Sequence, residues 1–180
     1  IALYPVRFSP FSNWLSDLGN MYYNFMDISY LYFEYNPQGG IFYNLGCIFT
    51  GIALFPFFAG FYKWYTDEKW RKYSIVIVQI VGFISAFALM MIGVFSEDMM
   101  PEHSMWSRIF FILILIVLVV TSIALYSHSD FIKEMSYYGI ILAIVDAIFV
   151  FFGIALVEWF TVFSALGFVG LLVYNMFKLE

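Results

Sequence analysis

Acidic side chains and a histidine crowd one short polar stretch of this chain, "GVFSEDMMPEH" at residues 93–103. The stretch holds Glu97, Asp98, Glu102 and His103, although only 12% of the 180 residues are charged. Side chains of these types transfer protons or bind hard cations in other proteins. Apolar segments lie on both sides, so the sequence places any such chemistry at the edge of an apolar element.

Three other parts of the chain contribute polar residues that we expect at the same level. The first is a loop near the start, the second is one turn into the first long apolar run, and the third is the short connection between the last two runs. The resulting candidate polar pocket comprises Ser16, Asp17, Asn44, Asp98, His103 and Glu158.

The direction of each loop side chain follows from where the chain bends. Pro101 cannot continue a preceding helix and redirects the chain. The preceding span ends at residues 93–95, which places Asp98 at the level of Glu158, and the bend at Pro101 returns His103 toward the bundle. We therefore predict that Asp98 and His103 turn inward, toward Asp17 and Glu158. By the same argument, the two glutamates of the stretch, at 97 and 102, stay in water.

Several kinds of chemistry remain open for these residues. Ser16, His103 and one of the two aspartates at 17 and 98 can be written as a nucleophilic triad, but no strained Gly-x-Ser-x-Gly turn supports it. A multi-histidine zinc site is excluded because this region offers one histidine and no cysteine. An oxygen-rich cation site is conceivable, but no metal is predicted, and no phosphate or dinucleotide motif identifies a cofactor.

Composition identifies the class of protein. Hydrophobic residues make up 63% of the chain, aromatic residues make up 23%, and the mean hydropathy is +0.88. A soluble domain averages about 45–50% apolar residues, so this chain is predicted to be an integral membrane protein. The net charge of −5 provides no basic patch, which excludes nucleic acid as a partner. The lipid bilayer is the predicted partner, with other membrane subunits as a further possibility.

Five apolar runs are long enough to cross a membrane as helices. The sequence therefore predicts an all-α, polytopic transmembrane helix bundle over residues 41–180. Residues 1–40 are predicted to form an outward-facing loop with an aromatic interfacial segment at 20–36. The predicted spans cover about 41–62, 73–95, 105–127, 136–157 and 159–177.

The basic residues predict an orientation. Six of the eight lie at one side of the predicted bundle, four of them in residues 63–72, whereas Arg7 and Arg108 lie at the other. The positive-inside rule makes the 63–72 loop cytoplasmic and the 96–104 loop external, in a multi-pass protein of the cell membrane. One more span preceding Ile1 would place both ends inside, and we expect six spans in the full chain.

Asp146 is an acid inside a predicted span. A charged side chain at that depth is costly unless it is neutral, paired or hydrated, and such residues mark functional sites. The structural alternative is a hydrogen bond between helices. We expect Asp146 to face the bundle interior as a protonated or hydrogen-bonded group.

Four motifs carry a resemblance to a known family: "NWLSDLGN" (13–20), "NPQGGIFYNLG" (36–46), "GVFSEDMMPEH" (93–103) and "GIALVEW" (153–159). In order and spacing they resemble the small multi-pass membrane proteins grouped as domain of unknown function 998. The resemblance covers nearly the whole chain and implies a six-helix bundle with the pocket residues named above, without an established activity. The aromatic segment at 20–36 departs from the family pattern.

The leading functional hypothesis is an outward-facing polar pocket that binds a lipid headgroup, a small solute or a partner subunit. One alternative is a membrane-embedded hydrolase acting on lipid, with acid–base or metal-holding roles for Asp17, Asp98, His103 and Glu158. Another is a structural subunit of a larger membrane complex, docked through the aromatic segment.

Overall fold

Five long helices dominate the computed structural model, which describes residues 8–27 and 30–178. The fold is the predicted all-α bundle, and all five helices are long and apolar enough to span a membrane. Two strands and two short 3₁₀ segments, Ser16–Gly19 and Gly60–Trp64, complete the described part. In chain order the elements are β1 (Tyr22–Asp27), β2 (Tyr30–Tyr35), α1 (Pro37–Ala59), α2 (Lys69–Val94), α3 (Met100–Tyr126), α4 (Lys133–Phe152) and α5 (Ala155–Lys178).

The predicted boundary between the last two spans, at residues 157–159, is wrong. Helix α4 ends at Phe152 because Gly153 adopts a left-handed conformation with φ of 58°, which glycine tolerates without steric cost. Helix α5 then begins at Ala155. Glu158 consequently lies within the first turn of α5 and not in the tight turn itself.

Each helix packs antiparallel against the next one along the chain, from α1 to α5. One end of the bundle carries the loop of residues 8–21, the α2–α3 connection and the start of α5. We call it the acidic end because Asp17, Glu97 and Glu158 lie there. The opposite end, the basic end, holds Lys63 and the connections that follow α1 and α3.

Aromatic side chains fill the core toward the basic end. Phe61 and Trp64 are fully buried and meet edge to face, with ring centroids 4.9 Å apart. Phe131, from the α3–α4 connection, packs edge to face on Trp64 at 5.8 Å. This end of the bundle is therefore closed by large rigid rings.

Glycines bring α1 and α2 into close contact. A Cβ added at Gly51 would lie 2.7 Å from the carbonyl oxygen of Ala86, and one at Gly93 would overlap the carbonyl oxygen of Asn44. Small residues at such positions allow helix backbones to approach in a membrane, where van der Waals contact drives association. The position of Asn44 at the acidic end thus depends on the missing side chain of Gly93.

The segment predicted to be interfacial contains a β-hairpin. Strands β1 and β2 pair antiparallel, from Tyr22 opposite Tyr35 to Asp27 opposite Tyr30. The N–H of Asn36 donates to the carbonyl of Met21 at 2.9 Å and closes the open end of the hairpin. Its side chains, and residues 28–29, lie outside the described part, so the interfacial position stays a prediction.

The close approach at Gly93 generates a test of the α1–α2 packing. We expect Gly93→Ala to destabilise the protein by about 1–3 kcal/mol, because the new methyl group meets backbone that cannot rotate away. Gly170→Ala is the matched control, since a Cβ there meets nothing within 4 Å and alanine favours a helix. Thermal unfolding in detergent measures both, and equal melting temperatures for the two variants would contradict this packing.

Candidate functional site

A loop of residues 8–21 lies across the acidic end and is ordered first by its own hydrogen bonds. The N–H groups of Ser12 and Asn13 donate to the carbonyl of Ser9. Asp17 Oδ2 accepts from the N–H of Trp14 at 2.9 Å and from Asn13 Nδ2 at 3.3 Å. Asp17 therefore closes a local turn, as short acidic side chains do at helix starts.

Two contacts join this loop to α5. The N–H of Leu15 donates to Glu158 Oε2 at 2.8 Å, and the N–H of Ser16 is directed at the same carboxylate. Trp159 Nε1 donates to the carbonyl of Asn13 at 3.0 Å. Leu15 and Glu158 are both buried, so this attachment is shielded from water and each polar group has a partner.

Asparagine side chains join the loop to α1. Asn44 Nδ2 donates to the carbonyl of Gly19 at 3.1 Å, and Asn36 Nδ2 donates to the carbonyl of Asn20 at 3.0 Å. Gly19 must be a glycine, because a Cβ there would lie 2.7 Å from the Tyr43 ring. The loop backbone consequently lies directly on the first turns of α1.

The α2–α3 connection supplies the third attachment. Asn20 Nδ2 donates to Glu97 Oε2 at 3.0 Å. The N–H of Met21 donates to Asp98 Oδ2 at 2.8 Å, and Ser96 Oγ donates to the same oxygen at 3.1 Å. Both acids of this connection therefore hold the loop in place, whatever else they do.

Glu97 and Asp98 take the opposite positions to those predicted. Asp98 is exposed, whereas Glu97 is partly buried beside Asp17. Burial, followed by the charge of Asp17 and a hydrogen bond to it, raises the pKa of Glu97 to about 8. Glu97 therefore keeps its proton at neutral pH. Glu102 is exposed, and its contact with water stays a prediction.

His103 is buried in the first turn of α3, with 4% of its surface exposed. Its Nδ1 lies 2.8 Å from the carbonyl oxygen of Phe95, which makes Nδ1 the protonated nitrogen. Nε2 has no hydrogen-bond partner among the described residues. The ring therefore closes the end of α2, and the structure gives it a carbonyl partner where we predicted a carboxylate.

A cavity of about 540 Å³ lies beneath the loop, lined mainly by α1, α3 and α5. Leu15 and Ser16 form part of its wall at the acidic end, and Glu158 is the charged residue of the described lining. From Glu158 to Leu172 the lining of α5 extends over about 21 Å at 1.5 Å per residue. That length is most of the roughly 30 Å thickness of a bilayer's hydrocarbon core.

The polar residues of the lining lie toward the acidic end, and the deeper lining of all three helices is apolar. On α5 the lining begins with Glu158 and Thr161 and continues with side chains such as Ala165 and Leu172. On α1 and α3 the polar lining residues likewise lie before the deeper apolar ones, although Phe42 precedes them on α1. The polar lining residues of α1 and α3 are Tyr43, Cys47, Thr50 and Ser107, and deeper apolar ones include Leu54, Phe57, Phe58, Ile114, Val117 and Leu118.

The predicted pocket residues separate into two groups. Ser16 and Glu158 line the cavity, whereas Asp17, Asn44 and Asp98 hold the loop above it and His103 closes α2. Sequence reasoning missed the lining residues Thr50, Ser107 and Thr161. One signal was available, since Thr161 follows Glu158 by three residues and so shares its helix face.

Asp146 is fully buried within α4, and it is not among the residues that line the cavity. Neither carboxylate oxygen has a hydrogen-bond partner among the described residues. Within the same residues, no group of three or more His, Cys, Asp or Glu side chains is placed to hold a metal ion.

The pair formed by Asp17 and Glu97 predicts a pH dependence. The pKa of Glu97 is raised from 4.5 to about 8, so the folded state holds this proton more tightly than the unfolded chain. Its contribution to stability is complete below about pH 4.5 and is lost as the pH rises toward 8. Glu97→Gln cannot ionise and keeps a donor and an acceptor, so we expect it to melt a few °C above wild type at pH 9.

At pH 4 the two proteins should melt together, and thermal unfolding in detergent at both pH values measures the difference. Glu102→Gln is the matched control at an exposed acid of the same end, and it should follow wild type throughout. A gain for Glu97→Gln that is the same at pH 4 and pH 9 would contradict the raised pKa of Glu97.

Comparison with known proteins identifies the family. No curated protein and no solved structure matches the chain. A family model described as "Protein of unknown function (DUF998)" matches residues 1–175, in agreement with the resemblance of the four motifs and with a bundle of membrane-spanning helices. The chain therefore belongs to the DUF998 family of multi-pass membrane proteins.

Proposed function

We propose that this membrane protein binds one chain of a membrane amphiphile in the cavity between α1, α3 and α5. The observation that carries the proposal is the distribution of polar groups in the lining: hydroxyls, a thiol and a carboxylate lie toward the acidic end, among apolar residues such as Phe42, and the deeper lining is apolar. An amphiphile has a similar distribution. A volume of about 540 Å³ lies within the range of about 300–1,000 Å³ that small-molecule sites occupy.

The same lining argues against the other hypotheses. A small polar solute would leave most of this apolar wall without a partner. A lipid hydrolase needs acid–base groups in contact with its substrate, and of the four residues of that hypothesis only Glu158 lines the cavity. An amphiphile would contact both the polar and the apolar parts of the cavity lining. Binding of such a molecule is therefore the function that the geometry supports best.

Filling the cavity tests the proposal directly. Gly46 lines it, and a Cβ there meets nothing within 4 Å, so Gly46→Leu places a side chain in the space that we assign to the ligand. Native mass spectrometry of the full chain, released from nanodiscs with added monopalmitoylglycerol, counts bound molecules. We expect one bound molecule for wild type. For Gly46→Leu we expect at least about a tenfold lower occupancy, because the leucine side chain fills space that the ligand needs and a packed site does not accommodate added volume.

Gly170→Leu is the matched control, since a Cβ at Gly170 also meets nothing within 4 Å and that glycine lies outside the cavity. It should bind as wild type does. Absence of a bound molecule from wild type would overturn the proposal. A partner subunit would then be the occupant of the gap.

We also infer that the acidic end faces outward and the basic end faces the cytoplasm. Among the described residues Arg108 lies toward the acidic end, whereas six basic residues lie at or near the basic end, which the positive-inside rule places inside the cell. Those six are Lys63, Lys69, Arg71, Lys72, Lys133 and Lys178.

Single cysteines test this orientation in a Cys47→Ser background. We expect Glu102→Cys to react with an impermeant thiol reagent on intact cells, and Lys69→Cys to react only after permeabilisation. Both positions are exposed in the structure, so both are chemically accessible in permeabilised cells, which is the internal control. Labelling of position 69 but not 102 on intact cells would reverse the orientation.

A further inference from the structure

The polar end of the cavity has a composition that discriminates among headgroups. Its one charged group among the described lining residues is the Glu158 carboxylate, and none of these residues is Lys, Arg or His. Arg108, although it follows the lining residue Ser107, is not itself in the lining and is exposed. An anionic head would therefore meet a carboxylate without a compensating cation, and such like-charge juxtaposition is unfavourable.

An unpartnered hydroxyl points to a ligand at the same place. Thr161 lines the cavity and is 1% exposed, yet its Oγ1 has no hydrogen-bond partner among the described residues. A buried hydroxyl without a partner is costly, and a ligand that exchanges a hydrogen bond with it removes that cost. Glu158 and Thr161 are three residues apart on α5, so both reach the same side of the cavity.

The N–H groups of Leu15 and Ser16 approach Glu158 from the loop side. Glu158 also lines the cavity, where it presents an acceptor to whatever lies below the loop. A hydroxyl or an amine donates to a carboxylate, whereas a phosphate or a carboxylate does not.

We propose that the cavity selects amphiphiles whose head is neutral or cationic and donates hydrogen bonds, such as a hydroxyl or an amine, with Glu158 and Thr161 as the specificity-determining residues. This inference rests on the proposed function, because it names the head of the chain that the cavity holds. Two kinds of head donate hydrogen bonds in this way, a glycerol-type head and an amine head.

Amphiphiles that have the same chain length but different heads test the selectivity and distinguish the glycerol-type head from the amine head. Binding of monopalmitoylglycerol, hexadecylamine and palmitate to the full chain is compared by native mass spectrometry from nanodiscs at pH 8. We expect the glycerol and amine compounds to bind at least about tenfold more tightly than palmitate, since each lacks the like charge and donates to Glu158. Comparison of the first two compounds then shows which head is preferred.

Two variants assign the effect to residues. Glu158→Gln keeps an acceptor for the Leu15 N–H, and it should reduce the preference for hexadecylamine over palmitate to within about threefold. Thr161→Val removes the hydroxyl at nearly constant volume, and it should weaken monopalmitoylglycerol binding by roughly threefold to tenfold. Glu102→Gln, at an exposed acid of the same end, is the matched control and should leave the preference unchanged.

The outcomes separate this inference from the proposed function. If none of the three compounds binds wild type, the proposed function fails and the inference fails with it. If all three bind equally well, or palmitate binds best, the cavity still holds a chain but the headgroup selectivity is wrong. Loss of the preference in Glu102→Gln as well as in Glu158→Gln would attribute it to the general charge of this end and overturn the assignment to the cavity.

Discussion

The hydrogen bond from the N–H of Leu15 to Glu158 Oε2 joins two parts of the chain that are 143 residues apart. It brings the loop of residues 8–21 onto the start of α5, and the contacts of Asn44 and Glu97 with the same loop depend on that position. Because both partners are buried, water does not compete for the bond. The cavity lies directly beneath it, so the contact that orders the acidic end also closes the cavity and gives it a charged group.

The polar-to-apolar gradient of the cavity follows from the membrane as a solvent. Polar side chains deep in hydrocarbon are costly unless they have partners, so the lining retains them only near the acidic end. Outside the spans, burial and the neighbouring Asp17 raise the pKa of Glu97 and favour its neutral form. The same constraint that makes the bundle stable in lipid thus produces a cavity whose profile matches that of a lipid.

Hydropathy alone predicted the five helices, because a span needs about 20 apolar residues and few other structures contain such runs. It misplaced the last turn, which depends on the conformation of Gly153. The sequence argument from Pro101 also exchanged the positions of Glu97 and Asp98, since adjacent residues in a loop have no periodicity and their directions depend on Asn20 and Met21. The cavity itself was not predictable, because apolar side chains that face lipid, core or an empty space have the same sequence pattern.

The central claim is that one amphiphile chain lies along the cavity with its head at the acidic end. Photo-crosslinking with monoacylglycerols that carry a diazirine near the head or at the chain terminus tests it most directly, with labelled residues identified by peptide mass spectrometry. We predict that the head-proximal probe labels Thr50 or Ser107 and that the terminal probe labels Leu172 or nearby residues. Labels confined to membrane-facing positions such as Ile123, which is 57% exposed, would contradict the account.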